Sequence, residues 1–419
     1  MGEDAAPPVT HRDGSDRLHA FDAVRGFALL LGVVLHTAAS FVDGFPIPGF
    51  LDRPETVPTV IFYVIHIFRM SAFFLMAGFF GRLLLERRGT ERFVKDRLRR
   101  IALPLAVALI LLPPLGAGAA ILGSLPHGGI PWLLSQLPPP DPVAASVAPS
   151  GPNLAIFWFL YYLLFFYALA LAARAIPAAI DREGRLMGAV DRLVRFVMRG
   201  AWAAVLVALP LAALLWTHEG WGEWTGLPAP LSFMPDSFTL LSYGLPFGLG
   251  WLLHRQIPLL LGMQRYWLPY LVLALVFSAL SLSIIGIAVT PHWARDVLTG
   301  TPRAAYALCY ALAIWFWVFG LVGAALRFLS RPNAWVRYLS DASYWVYLAH
   351  IFVVTFFLVL LRPYDWHWAV KMGIVLGGAA PILLLSYHYM VRSTFIGATL
   401  NGRRYPRTRA VGEPERATA

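Results

Sequence analysis

Arg25 and His36 are separated by ten apolar or small residues. Eleven helical steps of about 100° make three turns plus roughly 20°, so both side chains lie on one helix face, about 16 Å apart along the axis. Asp22 precedes Arg25 by three residues, a spacing that allows the two to pair. One face therefore carries a carboxylate, a guanidinium and, deeper, an imidazole. A neutral imidazole can take the proton of a hydroxyl or amine attacking an activated acyl group. A guanidinium nearby can stabilise developing negative charge or orient a phosphate. His66 and Arg69 repeat the three-residue spacing on a second apolar run. Arg97 and Arg100 share one face of a basic stretch ahead of Pro104, where positive-inside topology alone would account for the charge. No two histidines stand four apart and Cys309 is the single cysteine, so neither a metal site nor an intramolecular disulfide is expected.

The elements that must hold these groups are membrane spans. Of 419 residues 58% are hydrophobic and 14% are charged, against about 25% charged in a soluble globular chain. Ten runs come close to the roughly 20 apolar residues of a transmembrane helix: 24–42, 58–81, 101–123, 155–175, 201–217, 236–253, 267–289, 304–326, 343–361 and 368–391. The fold class is thus all-α, a polytopic bundle of about ten spans. The first run is too long, and too charged at its start, for a cleavable signal peptide. His36, His66, Arg69, His350 and His388 fall inside spans, where an ionisable group must face protein or a water-filled cavity.

Orientation follows from the lysines and arginines. With the N-terminus inside, the inward segments hold 28 of the 34. The topology expected is N-in and C-in, and the net charge of +11 is a topology signal rather than a nucleic-acid footprint. Segment 124–153, with Pro138, Pro139 and Pro140, reads as an extended outward loop. Trp216, Trp221 and Trp224, near Glu219 and Glu223, read as interfacial anchors, with a carbohydrate-stacking platform as the alternative.

Several motifs resemble one family. Arg25, ten residues and His36 in a first span look like the signature of the acyltransferase 3 family of membrane proteins. Phe21-Asp22-Ala23-Val24-Arg25-Gly26 resembles that family's LDxLRG opening. Phe73-Phe74-Leu75-Met76-Ala77-Gly78 resembles its FFxxSG motif, and Arg97-Leu98-Arg99-Arg100 its RxxR motif. Trp158-Phe159-Leu160 and the stretch from Ser343 through Tyr347 to His350 match as well. The stretch from His66 to Phe74 is most similar to the glucans biosynthesis protein C branch. Ala77 departs from the family's Ser, and Ile351-Phe352 after His350 departs from the branch's His-Pro.

The resemblance implies transfer of an acyl group, succinyl or acetyl, from cytoplasmic acyl-CoA to a hydroxyl of an extracytoplasmic glucan or other carbohydrate. His36, Arg25 and Asp22 would form the catalytic group, with His36 as general base. Arg97 and Arg100 would hold the donor's phosphates. His66, Arg69, Ser343, Tyr347 and His350 would line the site, and Arg69 matches the extra carboxylate of a succinyl group in charge. No permanently bound cofactor is implied; acyl-CoA is a co-substrate. The expected organisation is a cytoplasmic tail over 1–20, a membrane domain over 21–400 and a cytoplasmic tail over 401–419, in a multi-pass protein of the inner membrane. A proton-coupled transporter or exporter is the alternative, since buried His and Arg suit one. Against it, no paired halves are visible and acidic residues are nearly absent from the spans. A non-catalytic sensor or scaffold is the third reading, in which His36 is dispensable.

Overall fold

A computed structural model describes residues 12–42, 52–136, 153–181, 183–219, 221, 226–286 and 298–405. In chain order the helices are α1 (Arg12–Ala39), α2 (Thr56–Arg97), α3 (Leu103–Ser124), α4 (Ile130–Ser135), α5 (Trp158–Ile180), α6 (Arg185–Val197), α7 (Ala203–Thr217), α8 (Ser237–Leu253), α9 (Leu260–Arg265), α10 (Trp267–Ile285), α11 (Gly300–Phe328), α12 (Ala334–Leu361), α13 (Trp368–Ser386) and α14 (Phe395–Asn401). Among the described residues there is no strand. In their described residues all ten apolar runs lie largely on helices, on α1–α3, α5, α7, α8 and α10–α13.

Among the described residues, seven helical stretches are long and apolar enough to cross a membrane. The difference from ten lies in length, not location. Thr56–His127 is one run of helix, kinked at Gly89, that holds both the second and third runs. Helices α7 and α8, with 15 and 17 residues, are shorter than the roughly 20 residues of a typical crossing. α1 begins at Arg12, within the stretch expected to be a tail. Pro138, Pro139, Pro140, Glu223 and Trp224 lie outside the described residues, as do the chain ends before residue 12 and after residue 405.

Local sequence sets the helix boundaries that matter for function. Asp236 caps α8 by accepting from the backbone N–H groups of Phe238 and Thr239, and Asn333 caps α12 by accepting from Trp335 and Val336. Gly89, at φ 72°, breaks α2 in a conformation open mainly to glycine. The helix resumes and carries Phe93, Asp96 and Arg97 back toward the bundle. A single wide π turn, Leu98–Ala102, then leads into α3. Its cause is Pro104, whose ring crowds the carbonyl four residues earlier and which has no N–H to give it. That carbonyl belongs to Arg100, and the Tyr344 hydroxyl on α12 donates to it instead at 2.7 Å. The proline thus ties the basic stretch to α12.

α11 is the central helix, with Tyr306, Tyr310, Trp315 and Phe319 all buried. A helix enclosed on every side can be apolar on every side. α1 packs along α2, α11 and α12, and α2 packs along α8. The α2–α8 crossing is close because Gly78 and Gly250 each lie against the other helix's backbone, at Phe247 and Leu75, where a Cβ would collide. Gly78 is the glycine of the FFxxSG-like motif, so that motif's glycine has a packing explanation. Next to it, the carbonyl of Ala77 accepts from the Tyr167 hydroxyl at 3.2 Å.

Candidate active site

The residues singled out by the sequence separate into two groups. The first is deep in the bundle, where α1, α2 and α12 meet. The His36 and His350 rings lie with centroids 5.1 Å apart, tilted by 43°. His350 is fully buried, and its Nδ1 donates to the Tyr347 carbonyl at 2.6 Å. Arg69 packs against Gly32, one turn below His36 on α1, at a spot where a Cβ would displace the guanidinium. Tyr243 and Tyr347 are electrostatic neighbours of Arg69, and His350, Arg69 and His66 are those of His36.

Three polar atoms in this group are buried without a hydrogen-bond partner: His36 Nδ1, Arg69 Nε and His350 Nε2. Buried polar atoms are nearly always paired, and leaving one unpaired costs about 1–3 kcal/mol. Ser71, Arg97, Ser242, His254 and Trp315 carry such atoms too, but here three of them, all on ionisable side chains, come from α1 and the two helices packed against it, which marks a candidate site. Among the described residues Arg69 makes no ion pair, so its charge is uncompensated within the bundle.

Tyr347 donates its hydroxyl to the Ile156 carbonyl at 2.6 Å and packs edge-on against Phe159 at 4.6 Å. Ser343, one turn earlier, is buried and donates to the Ser340 carbonyl at 2.8 Å. Ser340 in turn donates to the Asp22 backbone carbonyl at 3.0 Å. Ser343 therefore belongs to the packing that joins α12 to α1. His66 donates through Nε2 to the Leu227 carbonyl at 3.1 Å and stacks on Phe62.

The second group is at the basic end of the bundle. Asp22 and Arg25 pair at 3.0 Å. Arg97 donates to the Tyr167 hydroxyl at 3.1 Å and to Asp96 at 2.6 Å, and it lies over the Phe93 and Tyr167 rings. Arg100 pairs with the same Asp96 at 3.0 Å, and Arg88 approaches it at 3.6 Å. One nearly buried carboxylate thus organises three guanidinium groups and leaves an excess of positive charge. Gly402, beyond α14, lies flush against the Arg100 guanidinium. Arg25 shares this end of the bundle, as an electrostatic neighbour of Tyr167 and Tyr344. His36 and Arg25 lie on one helix but about 16 Å apart, each in a different group.

Sequence reasoning missed three features. Asp96 is masked in the sequence by the eight lysines and arginines of segment 82–100. Trp221, expected as an interfacial anchor, is buried: it stacks on Tyr306 at 5.2 Å and donates to the Gly226 carbonyl at 2.9 Å. Trp216 is half-exposed, as an anchor would be. The backbone at 226–228 dips into the bundle, where its three successive carbonyls accept from Trp221, His66 and Tyr243. Irregular backbone at such depth is tolerated where protein satisfies it. Gly226, at φ 65° and against the Tyr310 hydroxyl, was the one sequence signal, and a lone glycine in a loop is a weak one.

The third missed feature is at the opposite end from Asp96, beyond His36. Asp52 donates its N–H to the Ser40 carbonyl at the end of α1 and pairs with buried Lys371. Arg53 pairs with Asp365 at 2.8 Å. Beside Asp365, the Tyr364 and Trp366 rings stack at 4.6 Å with much of each ring exposed. Among the described residues no three His, Cys, Asp or Glu side chains converge as a metal set would.

Comparison with known proteins adds a family. A family model described as an acyltransferase domain matches residues 18–388. Among curated proteins, the glucans biosynthesis protein C of Salmonella paratyphi B and that of Salmonella heidelberg are each 29% identical over 97 residues. That alignment covers 23% of this chain and 25% of each relative. No solved structure matches.

Proposed function

This chain belongs to the acyltransferase 3 family of membrane acyltransferases, and on that footing we propose that it moves an acyl group from acyl-CoA to a hydroxyl of an extracytoplasmic carbohydrate. The observation that carries the reading is the set of buried unpartnered atoms, His36 Nδ1, His350 Nε2 and Arg69 Nε, at the meeting of α1, α2 and α12. In this reading His36 is the general base. The acceptor oxygen bonds to the thioester carbonyl carbon while its proton passes to the imidazole. Arg69 stabilises the resulting oxyanion, a role worth most in a dry site with no competing counter-ion. The C–S bond then breaks and the sulfur recovers the proton.

The basic end of the bundle is the donor side. Arg97 and Arg100 share one carboxylate, and phosphates complete the charge they lack. The inward placement of this end in a cytoplasmic, or inner, membrane with N-in and C-in topology rests on the positive-inside pattern. Arg25, held by Asp22, sits at that end and guides the donor rather than touching His36. The acceptor approaches from the far end, where the exposed rings of Tyr364 and Trp366 and the Arg53–Asp365 pair offer ring faces and hydrogen bonds to a sugar. A glucan acceptor is favoured by the name of the Salmonella relatives, over the quarter of their length that aligns.

Mass spectrometry of envelope polysaccharides tests the reading. A deletion strain is compared with the same strain carrying wild type or His36→Ala. An acyl mass increment present with wild type and absent from both others is the expected result, and its size names the acyl group. An increment that persists with His36→Ala removes His36 as base. Its absence from all three strains removes the carbohydrate acceptor.

A further inference from the structure

We propose that His350 is a positioning residue for His36, accepting a hydrogen bond from the His36 ring in the place a carboxylate holds beside the histidine of many acyl-transfer sites. This deepens the reading above and rests on it for its catalytic meaning. The geometry starts from the backbone. His350 Nδ1 donates to the Tyr347 carbonyl at 2.6 Å, which fixes the ring proton on that nitrogen. The other nitrogen, Nε2, then carries a lone pair in the neutral ring and can only accept. It is buried without a donor.

His36 presents the complementary defect. Its Nδ1 is buried without a partner, on a ring whose centroid is 5.1 Å from that of His350. A proton on His36 Nδ1 supplies the donor that His350 Nε2 lacks. The same proton leaves the lone pair of His36 on Nε2, the nitrogen then available to a substrate hydroxyl. One hydrogen bond between them, not formed in this structure, would satisfy both orphaned atoms and select the tautomer a base needs. Such contacts are commonly long until substrate closes the site.

The surroundings explain why an imidazole serves where a carboxylate is usual. A carboxylate here would pair with Arg69 and cancel the charge an oxyanion needs, whereas the sequence Tyr347 carbonyl, His350, His36 is neutral throughout. Arg69 sets the polarity. Its guanidinium packs on Gly32, and a Cβ at Gly32 would be 3.8 Å from His350 Nε2. A second cation on His350 would repel it, so His350 serves as acceptor. In the reaction the hydroxyl proton goes to His36 Nε2 and on to the departing thiolate. His350 keeps its own proton and gains none.

The test uses the full chain in lipid nanodiscs with ¹⁵N-labelled histidine. In wild type the His36 ring is expected as the Nδ1–H tautomer. His350→Ala is expected to abolish that preference, and His350→Gln, whose amide oxygen still accepts, to preserve it. In turnover, His350→Ala should lower kcat about 100-fold, within the range of general-base effects, with KM for acyl-CoA unchanged. His350→Gln should recover about a tenth or more of the wild-type rate. His36→Ala combined with His350→Ala should be no slower than His36→Ala alone, since residues acting as a unit are not additive. An Nε2–H tautomer in wild type, a His36 spectrum indifferent to His350→Ala, or multiplying rate losses would each overturn the proposal. The spectrum needs no turnover. A tautomer that responds as expected in a chain that transfers no acyl group would uphold the pairing and overturn the acyl-transfer reading.

Discussion

The two ends of α1 face opposite electrostatic situations. Around Arg25, charges are answered: Asp22 holds Arg25, and Asp96 gathers Arg88, Arg97 and Arg100, with Arg97 Nε the one buried atom of these pairs that lacks a partner. Around His36, polar atoms go unanswered: Nδ1 of His36, Nε2 of His350 and Nε of Arg69 have no partner. The first arrangement is what stability asks of arginines near a membrane surface, with surplus positive charge for an anionic ligand. The second costs stability, and a fold retains such a cost at functional sites. In the function proposed above, the difference divides the labour: binding of the donor at the paired end, bond making and breaking at the unpaired one.

The sharpest way to break this division is at Arg69. Arg69→Met keeps much of the side chain's bulk and removes the charge. It is expected to lower kcat by about 10²–10³, the range for losing an oxyanion donor, while leaving KM for acyl-CoA within about twofold. A thermal melt of the detergent-purified variant should show no loss of stability, because the guanidinium removed was uncompensated. A marked fall in the melting temperature would make Arg69 a structural residue and erase the contrast between the two ends.

A smaller effect probes a paired region away from both groups. Asp191 on α6 receives two bonds from Arg255, at 2.8 and 2.6 Å. The Arg255 hydrogen bonds hold its carboxyl below the usual carboxylate range. A depressed carboxyl contributes stability that is present above its unfolded pKa, about 3.9, and is lost as pH falls through the folded value. Asp191→Asn should therefore lower the melting temperature slightly at pH 7, by the equivalent of about 1 kcal/mol or less. The gap between variant and wild type should close below pH 4. A gap that widens on acidification would show that the pair is not what Asp191 contributes.

The limits of the sequence follow the same contrast. Spans, the positive-inside pattern and the shared face of Arg25 and His36 were legible, because they depend on local composition and on the period of one helix. Ten apolar runs marked ten helical positions, although α7 and α8 are shorter than a typical crossing. A shared face did not make neighbours. About 16 Å of helix separates Arg25 from His36, and the electrostatic neighbours of His36 are His66 and Arg69 on α2 and His350 on α12. Nothing in a single sequence pairs residues more than 300 positions apart. Trp221 was misjudged for a related reason: a tryptophan near a span end is an anchor only if the chain stays at the interface, and here the backbone at 226–228 turns inward.

The division of labour is tested most directly by Michaelis curves in acyl-CoA for two variants measured side by side, His36→Gln and Arg97→Met. The account predicts a fall in kcat of about 100-fold or more for His36→Gln, with KM little changed. It predicts a rise in KM of about tenfold or more for Arg97→Met, the factor of a charge-assisted bond to phosphate, with kcat retained at saturation. A loss of kcat at saturating donor in Arg97→Met, or a raised KM with full kcat in His36→Gln, would contradict it.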